Sequence, residues 1–432
     1  MKMKKILITL ILLSLFSVNA FAITLYDALN ETFKNNTQLN AERENIKASI
    51  EDINISKAEY KPSFTLSGSK SFENTNKLTN QSGGDANVSD TNPLTSSIKL
   101  EQTLLDYGRD KTYEKNIIGL ELAKAKLLKK EQEILYSAVD TYTALILAGE
   151  KLSINRRNLN LLIKQVENDK VRLDRGQIKT ADLSQSESSL AGAQAQFTQA
   201  KSELMIGKLN YENIIGKLSN PNKLKKSKKA IVEVPNSLTK ALEYSKQNDP
   251  EIKIAQLELN QSEKDLSISE ADLKPTATLS AERSYTDDLS STYDQKEKDI
   301  LKATLSWPFY SGGKKRSKIN KNSNLIYRKR LLLEYAIKNT ETNVGSAWSN
   351  LQSSKSFLNS VNSQVKAAKI ANEGIAAEYQ RGSRTTLDVI QSNSLLLSAE
   401  ISLVNSQRNY LIAQYKLLKS IGLLNSSYLK LK

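Results

Sequence analysis

The sequence contains no cysteine and no histidine. Without cysteine there are no disulfide staples, no thiolate metal sites and no lipidated cysteine of the kind that anchors a bacterial lipoprotein. Without histidine the commonest nucleophile–base pairs and the commonest transition-metal ligand are missing too. No glycine-rich nucleotide loop stands where a strand would feed a helix. Catalysis would have to rest on carboxylates or on Ser and Lys, and no cleft constellation of them can be nominated. The expectation is a protein that is not an enzyme and needs no cofactor and no metal.

Long apolar runs are also scarce. The one that exists, Ile6 to Val18, follows Lys2, Lys4 and Lys5 and precedes Ala20-Phe21-Ala22, a small-residue cleavage site. That is the pattern of a secretory signal over 1–22, leaving a mature chain from Ile23. It falls short of the roughly 20 residues that a spanning helix needs, and no later stretch qualifies. Removing the three lysines lowers the formal charge from +15 to +12. The remaining Lys and Arg alternate with acids along helical stretches instead of gathering with stacking aromatics, so they read as a solvated helical surface and not as a nucleic-acid site.

Proline is scarce as well, and its placement is informative. The seven prolines lie at 62, 93, 221, 235, 250, 275 and 308, so none interrupts Leu94 to Asn220 or Phe309 to Lys432. Long helices are permitted in those two stretches. Leu145, Leu152, Leu159, Val166 and Leu173 are seven apart, as are Ile337, Val344, Leu351, Leu358 and Val365. A sustained seven-residue repeat predicts coiled-coil packing. From Arg109 to about Arg175 such a helix would run roughly 100 Å at 1.5 Å per residue, several times the thickness of a bilayer.

The chain is written twice. "LYDAL" at Leu25 answers "LTKAL" at Leu238, and "KPSFTLS" at Lys61 answers "KPTATLS" at Lys274, both at a shift of 213. Further on, Gly108 pairs with Gly313 at a shift of 205, and Gly176 with Gly382 at 206, as do Ile215-Gly216 with Ile421-Gly422. "RGQIKTADLSQS" from Arg175 therefore corresponds to "RGSRTTLDVIQS" from Arg381. The division expected is a first repeat over 23–220, a linker over 221–236, a second repeat over 237–424 and a tail over 425–432.

Each copy carries two short alternating stretches before its long helix. In the first, Phe64, Leu66 and Phe72 alternate with small hydroxyl residues, and Ile98, Leu100 and Leu104 alternate with polar ones. In the second, Ala277, Leu279, Ala281 and Tyr285 do the same, followed by Leu301, Ala303, Leu305, Trp307 and Phe309. Period two with one apolar face predicts strands. The pattern leaves open the faces of Lys70, Lys99 and Lys302. Polar loops lie between the strands of each pair, "ENTNKLTNQSGGDANVSD" from Glu73 and "TDDLSSTYDQKEK" from Thr286. The order is helix, strand, loop, strand, long helix, turn, helix, twice over.

Four strands cannot close a barrel alone, and their small hydroxyl-rich faces would make a poor soluble core. In an exported chain they fit the wall of a membrane barrel, apolar outward and polar toward water, with Phe72, Tyr285, Trp307 and Phe309 near the strand ends where aromatic girdles belong. Open edges are not tolerated in lipid, so several chains must share one barrel.

These features resemble the TolC-like outer-membrane efflux proteins (outer membrane factors). The resemblance covers Leu25 to about Leu424 and rests on the two KP strand openings, on "SWPFYSGGKKRSK" from Ser306 with its partner "EQTLLDYGRDKTY" from Glu101, and on the two RG phrases. It implies a mainly α fold with a transmembrane β-barrel. Each chain of a homotrimer would give four strands to one twelve-stranded barrel and long helices to a periplasmic α-barrel. It further implies a passive duct in the outer membrane, contacting its lipids and extending into the periplasm. The duct would dock a periplasmic adaptor (membrane fusion protein) and an inner-membrane pump of the RND, ABC or MFS type, for multidrug efflux or type I secretion.

In such proteins the RG phrase lies at the periplasmic tip. Gly176 and Gly382 suit helix-ending turns, Thr180 and Thr386 are candidate caps for the helices that follow, and Asp182 and Asp388 fall in their first turns. The resemblance implies that Asp388 forms a constricting ring in the lumen, with Gln391 where relatives can carry a second acid. It also implies that Arg384 and Tyr379 tie the hairpin to its neighbour, with Asp182 their natural partner, and that these contacts hold the tip closed. An exported coiled-coil adhesin or surface filament would share the signal and the heptads but not four strands in matched positions. A periplasmic adaptor would carry one helical hairpin between β domains, which the duplication does not offer.

Overall fold

A computed structural model describes residues 22–74, 77, 79, 82–83, 90–218, 224–290 and 293–432. The signal over 1–22, apart from Ala22, the middle of the first polar loop and the start of the linker lie outside the described residues. The elements are α1 (Leu25–Asn35), α2 (Thr37–Ala58), β1 (Ser63–Lys70), β2 (Glu73–Asn74), β3 (Asp90–Thr91), β4 (Leu94–Leu105), α3 (Arg109–Asp174) and α4 (Thr180–Ile214). Then come α5 (Leu238–Asn248), α6 (Pro250–Ala271), β5 (Thr276–Asp287), β6 (Gln295–Ser306), α7 (Lys314–Gln380), α8 (Thr386–Ser420) and α9 (Ser426–Leu429). The long helices α3 and α7 run 66 and 67 residues without a break, as the proline-free stretches allow.

The structure corrects two boundaries of the sequence reading. Two helices, not one, precede each strand pair. Asn36 ends α1 and opens α2, its side-chain oxygen accepting the N–H groups of Gln38 at 3.1 Å and Leu39 at 3.2 Å. In the second copy Asp249 ends α5 and Pro250 starts α6, at the first helical position, where the N–H has no intrahelical partner to lose and the fixed φ of proline suits the helix. The second polar loop is also shorter than expected. β5 pairs with β6 from Thr276↔Ser306 out to Asp287↔Gln295, so "QKEK" from Gln295 belongs to the strand.

The residues form two compact units. Among the described residues, one lies within 22–42, Leu127–Pro250 and Ile337–Lys432; the other lies within Arg43–Lys126 and Glu251–Ala336. In the first, the heptad residues Leu145, Leu159, Val166, Val344 and Leu351 are buried. Its largest apolar cluster centres on Tyr142, Tyr415 and Leu418. The Tyr142 hydroxyl donates to the carbonyls of Ile23 at 2.9 Å and Lys225 at 2.8 Å. The Tyr415 hydroxyl accepts the N–H of Ile231 at 3.1 Å. Burial pushes the Tyr415 phenol up to about 12, so it stays a neutral partner throughout the physiological range.

These two tyrosines tie down segments that have no helix of their own. Ile23 bridges to Leu224, and the C-terminal end closes over the same core. There the Gln132 side chain donates to the Gly422 carbonyl at 2.9 Å, Tyr26 donates to the Lys430 carbonyl at 2.8 Å, and the Lys432 N–H reaches Asn30 at 2.9 Å.

In the second unit one antiparallel sheet runs in the order β1-β4-β5-β6. The duplication is visible here in a pair of clamps the sequence reading missed. Asn116 of α3 donates to the Ser56 hydroxyl at 2.6 Å and to the Asp52 carbonyl at 3.2 Å. Asn322 of α7 does the same to Ser269 at 2.6 Å and Asp265 at 3.1 Å. The asparagines are 206 apart and the serines 213 apart, the shifts of the sequence repeat. Each clamp fixes the start of a long helix against the helix that precedes the strands.

Candidate functional site

The first unit carries both RG turns. α3 ends with Gly176 at φ 66° and α7 with Gly382 at φ 81°, a left-handed backbone that a side chain would strain. The Gly176 N–H bonds to the Leu173 carbonyl at 2.8 Å and the Gln177 N–H to the Arg172 carbonyl at 2.9 Å. At the other turn Gly382 bonds to Tyr379 at 3.0 Å and Ser383 to Glu378 at 3.1 Å. This crossed pair is the Schellman motif, which satisfies carbonyls at a helix end. It is built twice from the two copies of the phrase.

The helices that follow begin one residue earlier than expected. Thr385, not Thr386, caps α8: its hydroxyl accepts the Asp388 N–H at 3.2 Å, while the Asp388 carboxylate accepts the Thr385 N–H at 2.9 Å. Lys179, not Thr180, stands at the cap of α4, where the Asp182 carboxylate accepts the Lys179 N–H at 3.0 Å. Asp388 is held below its ordinary carboxyl value, first by the Thr385 N–H and then by the Thr385 hydroxyl, so it stays charged. It is half-buried, and Gln391, one turn on, is exposed.

The partners of Arg384 and Tyr379 differ from those expected. Arg384 donates through Nε to Glu378 at 2.7 Å, in its own hairpin, because the Schellman turn folds it back onto the last turn of α7. Asp182 is occupied as the capping acid of α4. Tyr379 points inward, 5 % exposed, and donates to Asp169 Oδ1 at 2.7 Å. Asp169, 0 % exposed, also accepts from the Ser186 hydroxyl at 2.5 Å and from Gln165 Nε2 at 2.9 Å. Gln165 donates to the Tyr379 oxygen at 3.2 Å, and the Thr386 hydroxyl lies 3.3 Å from it. The Arg172 guanidinium covers the Tyr379 ring at 4.5 Å. Burial, ahead of the nearby carboxylate, pushes the Tyr379 phenol up, which keeps its proton available for Asp169.

One buried carboxylate thus joins α3, α4 and α7, and the Tyr379 hydroxyl extends the network to Thr386 of α8. Sequence reading missed Asp169 because its repeat counterpart is Ile375, so the duplication offered no echo of it. The one signal was an acid three residues after Val166 and four before Leu173, the position on the heptad seam where an apolar residue belongs.

The second unit carries the wall. Phe64↔Leu100, Leu66↔Ile98, Leu100↔Ala281 and Ala281↔Leu301 place apolar residues on one face, continued by Leu279, Ala303 and Leu305. The other face holds Ser63, Thr65, Ser67 and Ser69 with Thr95, Ser97, Lys99 and Glu101, and their partners on β5 and β6. Lys99 and Lys302 are therefore on the polar face. Lys70 falls on the apolar side at the loop end, opposite Leu94. Beyond Ala281 the apolar face ends at Arg283, which pairs with Glu297 at 3.3 Å and lies 3.8 Å from Asp299.

The aromatics named from the sequence sit at opposite ends of the sheet. Phe72 and Tyr285 lie at the loop end, while Trp307 and Phe309 follow β6 at the helix end, edge to face with centroids 6.0 Å apart. The Trp307 indole donates to the Leu273 carbonyl at 3.1 Å. Phe309 is 86 % exposed. Tyr310, Tyr107 and Tyr60 join that end and were not picked out, since they fall just outside the alternating stretches. No helix among the described residues is long and apolar enough to cross a membrane.

The chain matches the model of the outer membrane efflux protein family over residues 28–217 and 241–423, one segment in each copy. It is 26 % identical over 419 residues to the outer membrane efflux protein BepC of Brucella suis, covering 96 % of this chain and 88 % of that one. It is 22 % identical over 446 residues to the outer membrane protein TolC of Escherichia coli K12, covering 98 % and 87 %. Among solved structures, the CmeC outer membrane channel of Campylobacter jejuni superposes with a TM-score of 0.79 at 15 % identity, over 92 % of this chain and 85 % of that one. A duplicated chain with a lipid-compatible sheet and two helical hairpins is thereby placed: it belongs to the outer membrane efflux protein family, whose members are channels of the outer membrane serving efflux and secretion.

Proposed function

We propose that three copies of this chain close one barrel and one tunnel, and that the hairpin tips close its periplasmic end. The observation that carries this reading is the sheet. Among the described residues it has four strands with one apolar face, and β1 and β6 each have a single partner strand. Two open edges in lipid would leave rows of N–H and C=O groups unsatisfied, each costing several kcal/mol. Pairing β6 of one chain with β1 of the next removes both edges, and three chains would supply twelve strands. Residues 23–220 and 237–424 would be the two repeats of each chain, joined by the linker over 221–236 and closed by the tail over 425–432.

The duct is passive. Energy and cargo come from an inner-membrane pump of the RND, ABC or MFS type through a periplasmic adaptor, and the cargo is small molecules or exported protein. At the tip, Asp388 of each chain faces the lumen as the constricting acid, with Gln391 replacing a second one. The Asp169 network, supported by the Arg384–Glu378 pair, holds the two hairpins of one chain together. Asp182 and the turn glycines shape the tip.

Deleting the gene and testing drug tolerance and protein secretion in parallel, then identifying what co-purifies with the tagged protein after cross-linking in cells, tests this reading. Loss of one of these traits, with an adaptor and a pump in the purified complex, is the expected result. A water-soluble monomer in the periplasmic fraction would overturn it.

A further inference from the structure

The polar face of the sheet is not electrically neutral, and its charge is concentrated on one strand. Reading across the ladder, Ser69, Thr95 and Thr286 share a row with Lys296, and Ser67, Ser97 and Ser284 share a row with Lys298. Ser63, Glu101 and Ser280 share a row with Lys302, and Thr65, Lys99 and Glu282 share one with Ile300. The acids of this face, Glu101 and Glu282, are both engaged with Lys99: Glu101 forms an ion pair with it, and Glu282 stands directly opposite it. Lys296, Lys298 and Lys302 have only hydroxyl side chains, Ser and Thr, as direct partners on β5.

Four lysines against two glutamates leave this face at a net +2 per chain. The acids of β6, Glu297 and Asp299, point to the other face by alternation, and there they meet Arg283. The sheet therefore sorts its charges, with surplus cations on the polar side and surplus acids on the apolar side at the loop end.

We infer that Lys296, Lys298 and Lys302 form a basic rail along the lumen wall of the outer barrel, which makes the outer half of this channel favour anionic solutes. The inference rests on the channel reading, because that reading turns the polar face toward water. Lys296 and Lys298, two residues apart on the strand, are about 6.6 Å apart, within the Debye length of about 8 Å at physiological salt, so their fields overlap. Lys302 lies four residues beyond Lys298, about 13 Å on, and extends the positive charge toward the helix end. In the ring, β6 would lie beside β1 of the next chain, whose polar face is Ser63, Thr65, Ser67 and Ser69, with no acid to neutralise it. Rings of Lys or Arg select anions in pores by the same electrostatics. Edge strands of soluble sheets also carry lysine to repel other edges. That role needs charge on the open edge in general, whereas here the lysines keep to one face and the acids to the other.

The test is the reversal potential of the purified full-length protein in planar bilayers under a KCl gradient. It is measured for the wild type, for a triple Lys296→Gln, Lys298→Gln, Lys302→Gln variant, and for a Glu297→Gln, Asp299→Gln variant that alters the opposite face. Each is repeated in an Asp388→Asn background, so that the acidic tip does not mask the barrel. The chloride-to-potassium permeability ratio is expected to fall by about twofold or more in the triple variant in both backgrounds. The opposite-face variant should hold the wild-type ratio. An unchanged ratio in the triple variant in both backgrounds, with assembled oligomer confirmed by its mass in detergent, would overturn the rail. An equal shift in the opposite-face variant would overturn the assignment of faces. If the wild type gave no conductance at all, the channel reading itself would fail, and the rail with it.

Discussion

The hydroxyl of Tyr379 donates to the carboxylate of Asp169 at 2.7 Å, and the acid has no exposed surface. The two residues come from different copies of the duplicated unit, one from α7 and one from α3, so the bond joins two hairpins that the sequence wrote separately. Removing one partner of a buried polar pair costs about 1–3 kcal/mol, because the other is left desolvated. Tyr379→Phe and Asp169→Ala are each expected to raise single-channel conductance by loosening the tip. The double variant should add little to Asp169→Ala alone, since both cut the same link. Additive effects would show that the two side chains act independently.

Gly422 ends α8 at φ 77°, and a methyl group there would run into the carbonyl of Asn248 and lie 2.8 Å from the Asp249 N–H nitrogen. Both neighbours are backbone, so nothing yields cheaply. Gly422→Ala is expected to destabilise the first unit by about 2–4 kcal/mol. Gly374, inside α7, has open space where its methyl would go. Gly374→Ala should stabilise by about 0.5–1 kcal/mol through helix propensity. Thermal melting of the two variants checks the contrast, and equal melting temperatures would contradict it.

Because Asp388 is held below its ordinary value of 3.8 in the folded chain, its contribution has a defined pH sign. The stabilisation is complete above 3.8 and is lost as pH falls through the lower folded value. Asp388→Asn should therefore lower the melting temperature near neutral pH, and the two curves should converge in acid below that range. A gap that widens as pH falls would show that the charged form is not the one the Thr385 cap holds.

Elements set by a local pattern were legible in the sequence. Proline-free heptads gave the long helices, alternation gave the strands, and the repeated glycines gave the two Schellman turns. What escaped depended on three-dimensional partners. Asp169 looks like a misplaced charge in an apolar stripe until Tyr379 and Ser186 arrive from other helices. Asn116 and Asn322 look like surface amides until α2 and α6 pack beside them. The start of β6 at Gln295 reads as loop from the sequence, because Gln295, Lys296, Glu297 and Lys298 suppress the apolar half of the alternation. That segment needed β5 as a template to reveal its faces.

The proposed ring requires the open edge of β6 to meet the open edge of β1 on another copy. The chain has no cysteine of its own, so introduced thiols report cleanly. Thr65 in β1 and Thr304 in β6 both lie on the polar face. Thr65→Cys and Thr304→Cys in one chain, treated with a short bis-maleimide in native membranes, are expected to give covalent dimers and trimers and nothing larger. Either single variant should remain monomeric on a denaturing gel. Monomer alone from the double variant, or a ladder that continues past the trimer, would contradict the closed three-chain barrel.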